Sequence, residues 1–312
     1  MTFPAGDVAL PTDPAIPALA AIRESGWEAF LSEVGIPGRF QGWELLRHRL
    51  GDRCVFRIRV AGSSVAVKVY RSDATGIVEL AAALAIHGYA SGRPPTIPPV
   101  VAHSRQLNAV VTAWLDGQTA LDLVASNQGK RAGALAAQWL WAMHGAPIAL
   151  GRRYDTADVL RDVTRWSGLV AAEHSGLGAL AQRLGEALSQ APPSRPLELA
   201  HGSMVPRHVL DLGNGPGVID WDGFRQAAIE FDVGSFLAFL QRMSFRAVLV
   251  PGTREAAAAF RTELDGLVDP DALAWYEAVN RLRFAAYLAR KRREHWQRRV
   301  RALLVPFPGR PI

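Results

Sequence analysis

The sequence predicts an α+β chain in which a small antiparallel β lobe precedes a larger, mostly helical lobe. Three observations point there. From Trp43 to Tyr70, the β-rich runs WELLRHRL, CVFRIRV and SVAVKVY are parted by GDR and AGS, both good hairpin turns. From Ala120 to the C-terminus most residues follow helical spacing, interrupted by the loop PIALGRRYDT and the Pro-rich QAPPSRPLE. Within that helical half one stretch, HGSMVPRHVLDLGNGPGVIDWD (201–222), reads as a hairpin, with strands VLDL and GVIDWD around the turn GNGPG.

Taken in order, residues 1–14 are Pro-rich and expected to be loose, and 13–34 carries helix-start chemistry followed by apolar residues at helical spacing. IPGRF breaks that helix. The three-strand meander follows, then a helix expected over 76–91 that cannot continue through GRPPTIPP. VVAHSRQ and NAVVTAWL read as two further short strands, and a hinge falls at Leu115–Gln118. The expected divisions are a loose segment and helix (1–38), a β lobe with its helix (39–116) and a helical lobe (117–312).

A chain of 312 residues and 33.8 kDa with 49% hydrophobic and 21% charged residues can bury a large core, so disorder is not expected. The single cysteine, Cys54, excludes an internal disulfide framework and a cysteine-based zinc site. MTFPAGDVALPTDP has neither a basic nor an apolar leader region, and no apolar run is long enough to span a bilayer. A cytoplasmic protein with no membrane partner is the expectation. The net charge of +6 is carried by arginine, since Lys68, Lys130 and Lys291 are the only lysines. Much of it lies in 281–304, where Phe284, Leu288, His295, Trp296 and Leu303 can share one helix face and the arginines a solvated one. No RNA- or DNA-binding signature accompanies that run, which argues against a nucleic-acid partner.

Lys68 alternates with Val65, Val67 and Val69 and so points to the opposite face of its strand, with Ala66 and Tyr70. A strand lysine is commonly a solvated edge charge. As the only lysine of the small lobe, it is also a compact ammonium suited to nucleotide phosphates, with Glu79 on the next helix as the acid to hold it. In the hairpin, 201–208 and Asp220–Asp222 come to the same end. Asp220 follows an apolar strand, where a carboxylate needs a partner: a salt bridge or cap, or Mg²⁺ bridging phosphates.

On these residues the chain from about residue 40 resembles the aminoglycoside phosphotransferase and choline kinase group, with a bilobal protein kinase-like fold. The resemblance rests on Lys68, Glu79, TAWLDG, LAAQWLWAMHGAPI with His144, the 201–222 cassette and IEFDVGSFLAFL. It implies that the β lobe binds ATP or GTP. Lys68 would contact the α- and β-phosphates, Glu79 would orient it, and backbone near Trp114–Asp116 would meet the base. Arg53 or backbone amides would close over phosphate, and Asp220 would hold Mg²⁺. His201 and Asp232 would be structural, the latter bracing the loop.

Two positions depart from the family pattern. Ser203 stands where the catalytic aspartate is expected, and His208 where an asparagine holds a second metal. Serine cannot accept a proton by charge, and loss of a positioned base removes ~10²–10⁴ in rate. His208 can ligate a metal but is a poorer partner than oxygen for Mg²⁺. Asp222 is a possible substitute acid. Two readings follow: a nucleotide-binding relative whose transfer to a small-molecule hydroxyl is weak or lost, and an active small-molecule kinase with a rewired site. A basic nucleic-acid-binding module is the third, resting on the C-terminal arginines alone. The acceptor is not named by the resemblance, although the basic charge suits a neutral or anionic one better than a polycation.

Overall fold

The structure is a computed structural model that describes residues 9–305; the expectation of a loose start at 1–8 lies outside the described residues. The chain divides into two compact units and passes from one to the other between Asp116 and Gly117.

The first unit opens with α1 (Pro17–Glu33), followed by β1 (Phe40–Arg49), β2 (Arg53–Val60), β3 (Ser63–Tyr70), α2 (Thr75–Ile86), β4 (Val100–Ser104) and β5 (Ala109–Ala113). The two later strands join the meander in one antiparallel sheet of order β1-β2-β3-β5-β4, so β3 is central. Alternation decides the faces. Cys54, Phe56, Ile58, Val65, Val67 and Val69 are buried with Leu19, Trp27 and Phe30 of α1, where Trp27 meets Phe56 edge-on at 5.0 Å. The opposite face carries the half-buried Arg53, Arg57, Ala66 and Lys68; the register pairs Arg57 with Ala66, and Val55 with Lys68.

The helix expected over 76–91 stops at Ile86. Gly88 takes a φ of +87°, and the Tyr89 N–H bonds back to the Leu84 carbonyl, so a left-handed glycine cap ends the helix before the prolines are reached. Among the described residues before α1, the chain is anchored at Asp13. Asp13 is buried and accepts hydrogen bonds from the backbone N–H groups of Ala15 and Gly51.

The second unit contains β6 (Gln118–Thr119), α3 (Ala120–Ala125), α4 (Gly129–Met143), α5 (Thr156–Glu173), α6 (Ser175–Leu188), β7 (Glu198–Ala200), β8 (Val209–Asp211), β9 (Pro216–Val218), β10 (Arg225–Ala227), α7 (Ile229–Met243), α8 (Val250–Glu263), α9 (Pro270–Lys291) and α10 (Trp296–Leu304). α7 is buried from Ile229 to Leu240 and forms the axis of the unit. It lies tight against α9, because a Cβ on Gly234 would come within 2.7 Å of the Tyr276 backbone. Two small sheets, β6-β8-β9 and β7-β10, carry the loop 201–208 and the turn at 219–224.

The basic C-terminal run is not one amphipathic helix. Arg292 and His295 adopt left-handed backbone (φ 42° and 56°) and split it into α9 and α10. Phe284, Leu288 and Leu303 are buried as expected for an apolar face, but His295 is exposed. Nor are its arginines all solvated. Arg281 donates to the carbonyls of Leu303 (2.9 Å) and Val305 (3.2 Å), which ties α10 back onto α9. No helix among the described residues is long and apolar enough to cross a membrane.

Candidate functional site

In the first unit, Lys68 is half-buried in the central strand, where the face it shares with Arg53 and Arg57 concentrates positive charge. Arg53 pairs with Asp52 at 3.0 Å. Glu79 lies in α2 and is exposed. At the end of β5 the Trp114 indole N–H donates to Asp116 at 2.9 Å, and the Arg57 guanidinium stacks 4.3 Å over the indole. Asp116 itself is exposed, 3.9 Å from Arg57. Arg57 was not singled out from the sequence. The available signal was its two-residue spacing on the face that Lys68 shares.

In the second unit the loop after β7 is held from below. The Asp232 carboxylate, at the start of α7 and 2% exposed, accepts the His201 backbone N–H at 2.6 Å and that of Met204 at 3.4 Å. Charged acceptors of this kind hold a backbone more firmly than neutral ones. Arg283 of α9 donates to the Gly202 carbonyl (3.3 Å) and the Ser235 hydroxyl (2.8 Å). Burial, with Arg225 as a second cause, pushes its guanidinium down to about 10. Arg225 donates to the Gly223 carbonyl at 3.1 Å. Neither arginine announces this role in the sequence, since each depends on elements brought together by folding.

The side chains of the loop form one cluster. The buried His201 donates from Nε2 to the Ile219 carbonyl at 2.9 Å, which leaves the lone pair on Nδ1. Ser203 Oγ lies 3.3 Å from that nitrogen and donates to it. The His208 ring stacks on His201 with centroids 5.3 Å apart. Its Nδ1–H donates to the Ser203 carbonyl (3.1 Å), while Nε2 faces Asp220 Oδ2 at 3.3 Å. Asp220 sits in left-handed backbone (φ 68°, ψ 54°), an uncommon conformation for a residue with a Cβ and one that gathers at functional sites. Asp222 follows, half-buried, in the single turn Trp221–Gly223. Away from the cluster, His144 caps α4 and pairs with Glu198 at 3.1 Å.

Mg²⁺ takes oxygen ligands in a near-octahedral shell. Among the described residues no three His, Cys, Asp or Glu side chains gather as a metal cage. Asp220 fits a cation whose other ligands are phosphate oxygens and water. His208 does not fit as a second ligand, because it offers nitrogen to a cation that prefers oxygen. One of its nitrogens also donates to Ser203 and the other is aimed at Asp220.

Fold and loop together define a protein of the kinase-like phosphotransferase class. The chain matches the phosphotransferase enzyme family over residues 43–276, three quarters of its length, and belongs to that family. No curated protein sequence matches it. Among solved structures, an amicoumacin kinase in complex with AMP-PNP and calcium is 12% identical at a TM-score of 0.60, covering 92% of this chain and 97% of that one. The GDP complex of aminoglycoside 2'-phosphotransferase-IIIa is 15% identical at 0.60, covering 89% and 96%. A choline/ethanolamine kinase family protein from Mesorhizobium loti is 16% identical at 0.59, covering 90% and 95%. These likenesses establish the protein kinase-like fold.

Proposed function

We propose that the chain binds ATP or GTP with Mg²⁺ and that its transfer of phosphate to a small-molecule hydroxyl is weak or lost. One observation carries this reading. Where a carboxylate would take the acceptor's proton, the Ser203 hydroxyl instead donates its own proton to His201. Family membership and the nucleotide complexes of the similar structures support the binding half. In this reading Lys68 meets the α- and β-phosphates and Glu79 orients it. Backbone near Trp114–Asp116 meets the base, and Arg53 adds charge over phosphate. Asp220 holds the metal, which would neutralise charge between the phosphates when bound. His201 and Asp232 keep the loop in shape.

The same Asp222 that could stand in for the missing base supports the second reading, an active kinase with a rewired site. Gly223, its neighbour, lies against Ser203. Melting curves with ATP, GTP and Mg²⁺ test the first half: a rise in Tm that Asp220→Ala removes is expected, and no shift with either nucleotide overturns the proposal. Transfer from labelled nucleotide to a panel of hydroxyl metabolites then separates the readings. Activity appearing only in Ser203→Asp with His208→Asn marks a decayed kinase. Activity in the wild type that falls in this double variant marks a rewired one.

A further inference from the structure

We infer that Ser203 is itself a phosphoryl acceptor, so that the chain phosphorylates its own loop; this rests on the nucleotide-binding reading above. The geometry is that of an activated nucleophile: a hydroxyl, a base within hydrogen-bond reach, and a third group that orients the base. Ser203 Oγ donates to His201 Nδ1 at 3.3 Å, and the Ile219 carbonyl holds His201 Nε2–H at 2.9 Å. That carbonyl contact fixes the tautomer, so the nitrogen facing Ser203 is the basic one. His201 is buried at 2% exposure and its own backbone is clamped by Asp232, which leaves the ring little freedom to turn away. Ser203 is only half-buried and remains reachable.

A serine that merely filled space in a degenerate loop would need no oriented base. Here His201 supplies one, with its Nδ1 facing the Ser203 hydroxyl two residues along the same loop. In the step, Ser203 Oγ attacks the terminal phosphorus of a bound nucleoside triphosphate. The new O–P bond forms as the bond to the bridging oxygen breaks, and the nucleoside diphosphate leaves with that electron pair. The hydroxyl proton passes to His201 Nδ1, and the resulting imidazolium keeps its Nε2–H on Ile219 until water removes the proton. The product is a phosphoserine ester and a nucleoside diphosphate. Its charge lies beside His201 and His208, whose rings stack over the same loop.

The test uses the full chain, treated with phosphatase and repurified, then incubated with ATP or GTP and Mg²⁺. Intact mass spectrometry reads incorporation, peptide sequencing locates it, and a parallel melting curve reads nucleotide binding. The expected result is one phosphoryl group on Ser203, absent from Ser203→Ala and from Lys68→Ala, the latter excluding a contaminating kinase. His201→Gln, which lacks the base, should slow incorporation by ~10²–10⁴ while keeping the nucleotide-induced Tm rise. An unchanged rate in that variant removes His201 from the step. Nucleotide stabilisation without phosphate on Ser203, or with phosphate only elsewhere, overturns the inference and leaves the binding reading standing. Neither stabilisation nor incorporation overturns both.

Discussion

Gly202 and Gly223 touch backbone to backbone where the loop 201–208 meets the turn after β9. A Cβ on Gly202 would run into the Gly223 carbonyl oxygen and come within 2.7 Å of Arg225 Nε, and Gly202 also holds a φ of +74°. Only glycine accommodates both the close approach and the left-handed backbone. Gly202→Ala is therefore expected to cost roughly 2–5 kcal/mol, adding the left-handed penalty to the overpacking cost. Urea denaturation measures it; a loss under 1 kcal/mol would mean that the loop yields without strain.

Asp232 carries two backbone N–H groups of the loop on one buried carboxylate. Asp232→Asn keeps the shape and loses the charge. The amide can accept from only one side and turns an NH₂ toward the other donor. Leaving a buried donor unmet costs about 1–3 kcal/mol, and that is the expected loss in the unfolding free energy. Hydrogen exchange at the His201 amide should accelerate by the corresponding ~5–150-fold. Unchanged protection there would show that the loop is held by other contacts.

The lobes, the five strands and the hairpin were legible because each rests on local pattern: alternation around Val65–Val69, and Gly-rich turns between apolar runs. So was the cassette, since His201, Ser203, His208 and Asp220 are close in the chain and a hairpin brings its ends together. What the sequence could not show is which nitrogen of His201 faces Ser203. That depends on the Ile219 carbonyl, 18 residues away across β8 and β9. Arg283 was unreadable for the same reason. In sequence it belongs to a basic run, and only the packing of α9 on α7 turns it from solvent toward Gly202. The split of that run at Arg292 and His295 also escaped periodicity, because no proline or glycine marks it.

Arg283 offers a forked guanidinium to two neutral acceptors, the Gly202 carbonyl and the Ser235 hydroxyl, with the rings of Phe231 and Phe284 within 5.3 Å and 5.1 Å of its centre. Arg283→Lys retains the buried charge without the planar fork, so it should be at least as destabilising as Arg283→Met, which relieves the charge. Each loses about 1–3 kcal/mol through the acceptors left unmet. A lysine variant as stable as the wild type would show that the planar fork is not needed at Gly202 and Ser235.

Cys54 lies in β2 with no exposed surface, and burial, followed by the charge of Asp13, raises its thiol from 9.0 to about 11. A shift of that size lowers the thiolate fraction near neutral pH by about 100-fold, and only the thiolate reacts. An aromatic disulfide reagent should therefore leave the native chain unmodified and react stoichiometrically once urea unfolds the first unit. Rapid modification in buffer would show that the sheet opens readily.

Asp13 makes the first unit sensitive to acid. Asp13 accepts from the His48 imidazole (2.9 Å) and from the backbone N–H groups of Gly51 (2.7 Å) and Ala15 (3.1 Å), with its side chain 2% exposed. The His48 bond, first, and the Gly51 bond, second, hold its carboxyl below the ordinary carboxylate value of 3.8. For a depressed carboxylate the folded state binds the proton less readily than the unfolded one. Its contribution is thus fully present above the unfolded value and is lost as pH falls through the lower folded value. Asp13→Asn removes that dependence. The wild type should exceed the variant in urea midpoint at pH 6, and the gap should narrow steadily below about pH 4. A gap that stays constant down to pH 3 would mean that Asp13 holds the β1–β2 turn by shape rather than by charge.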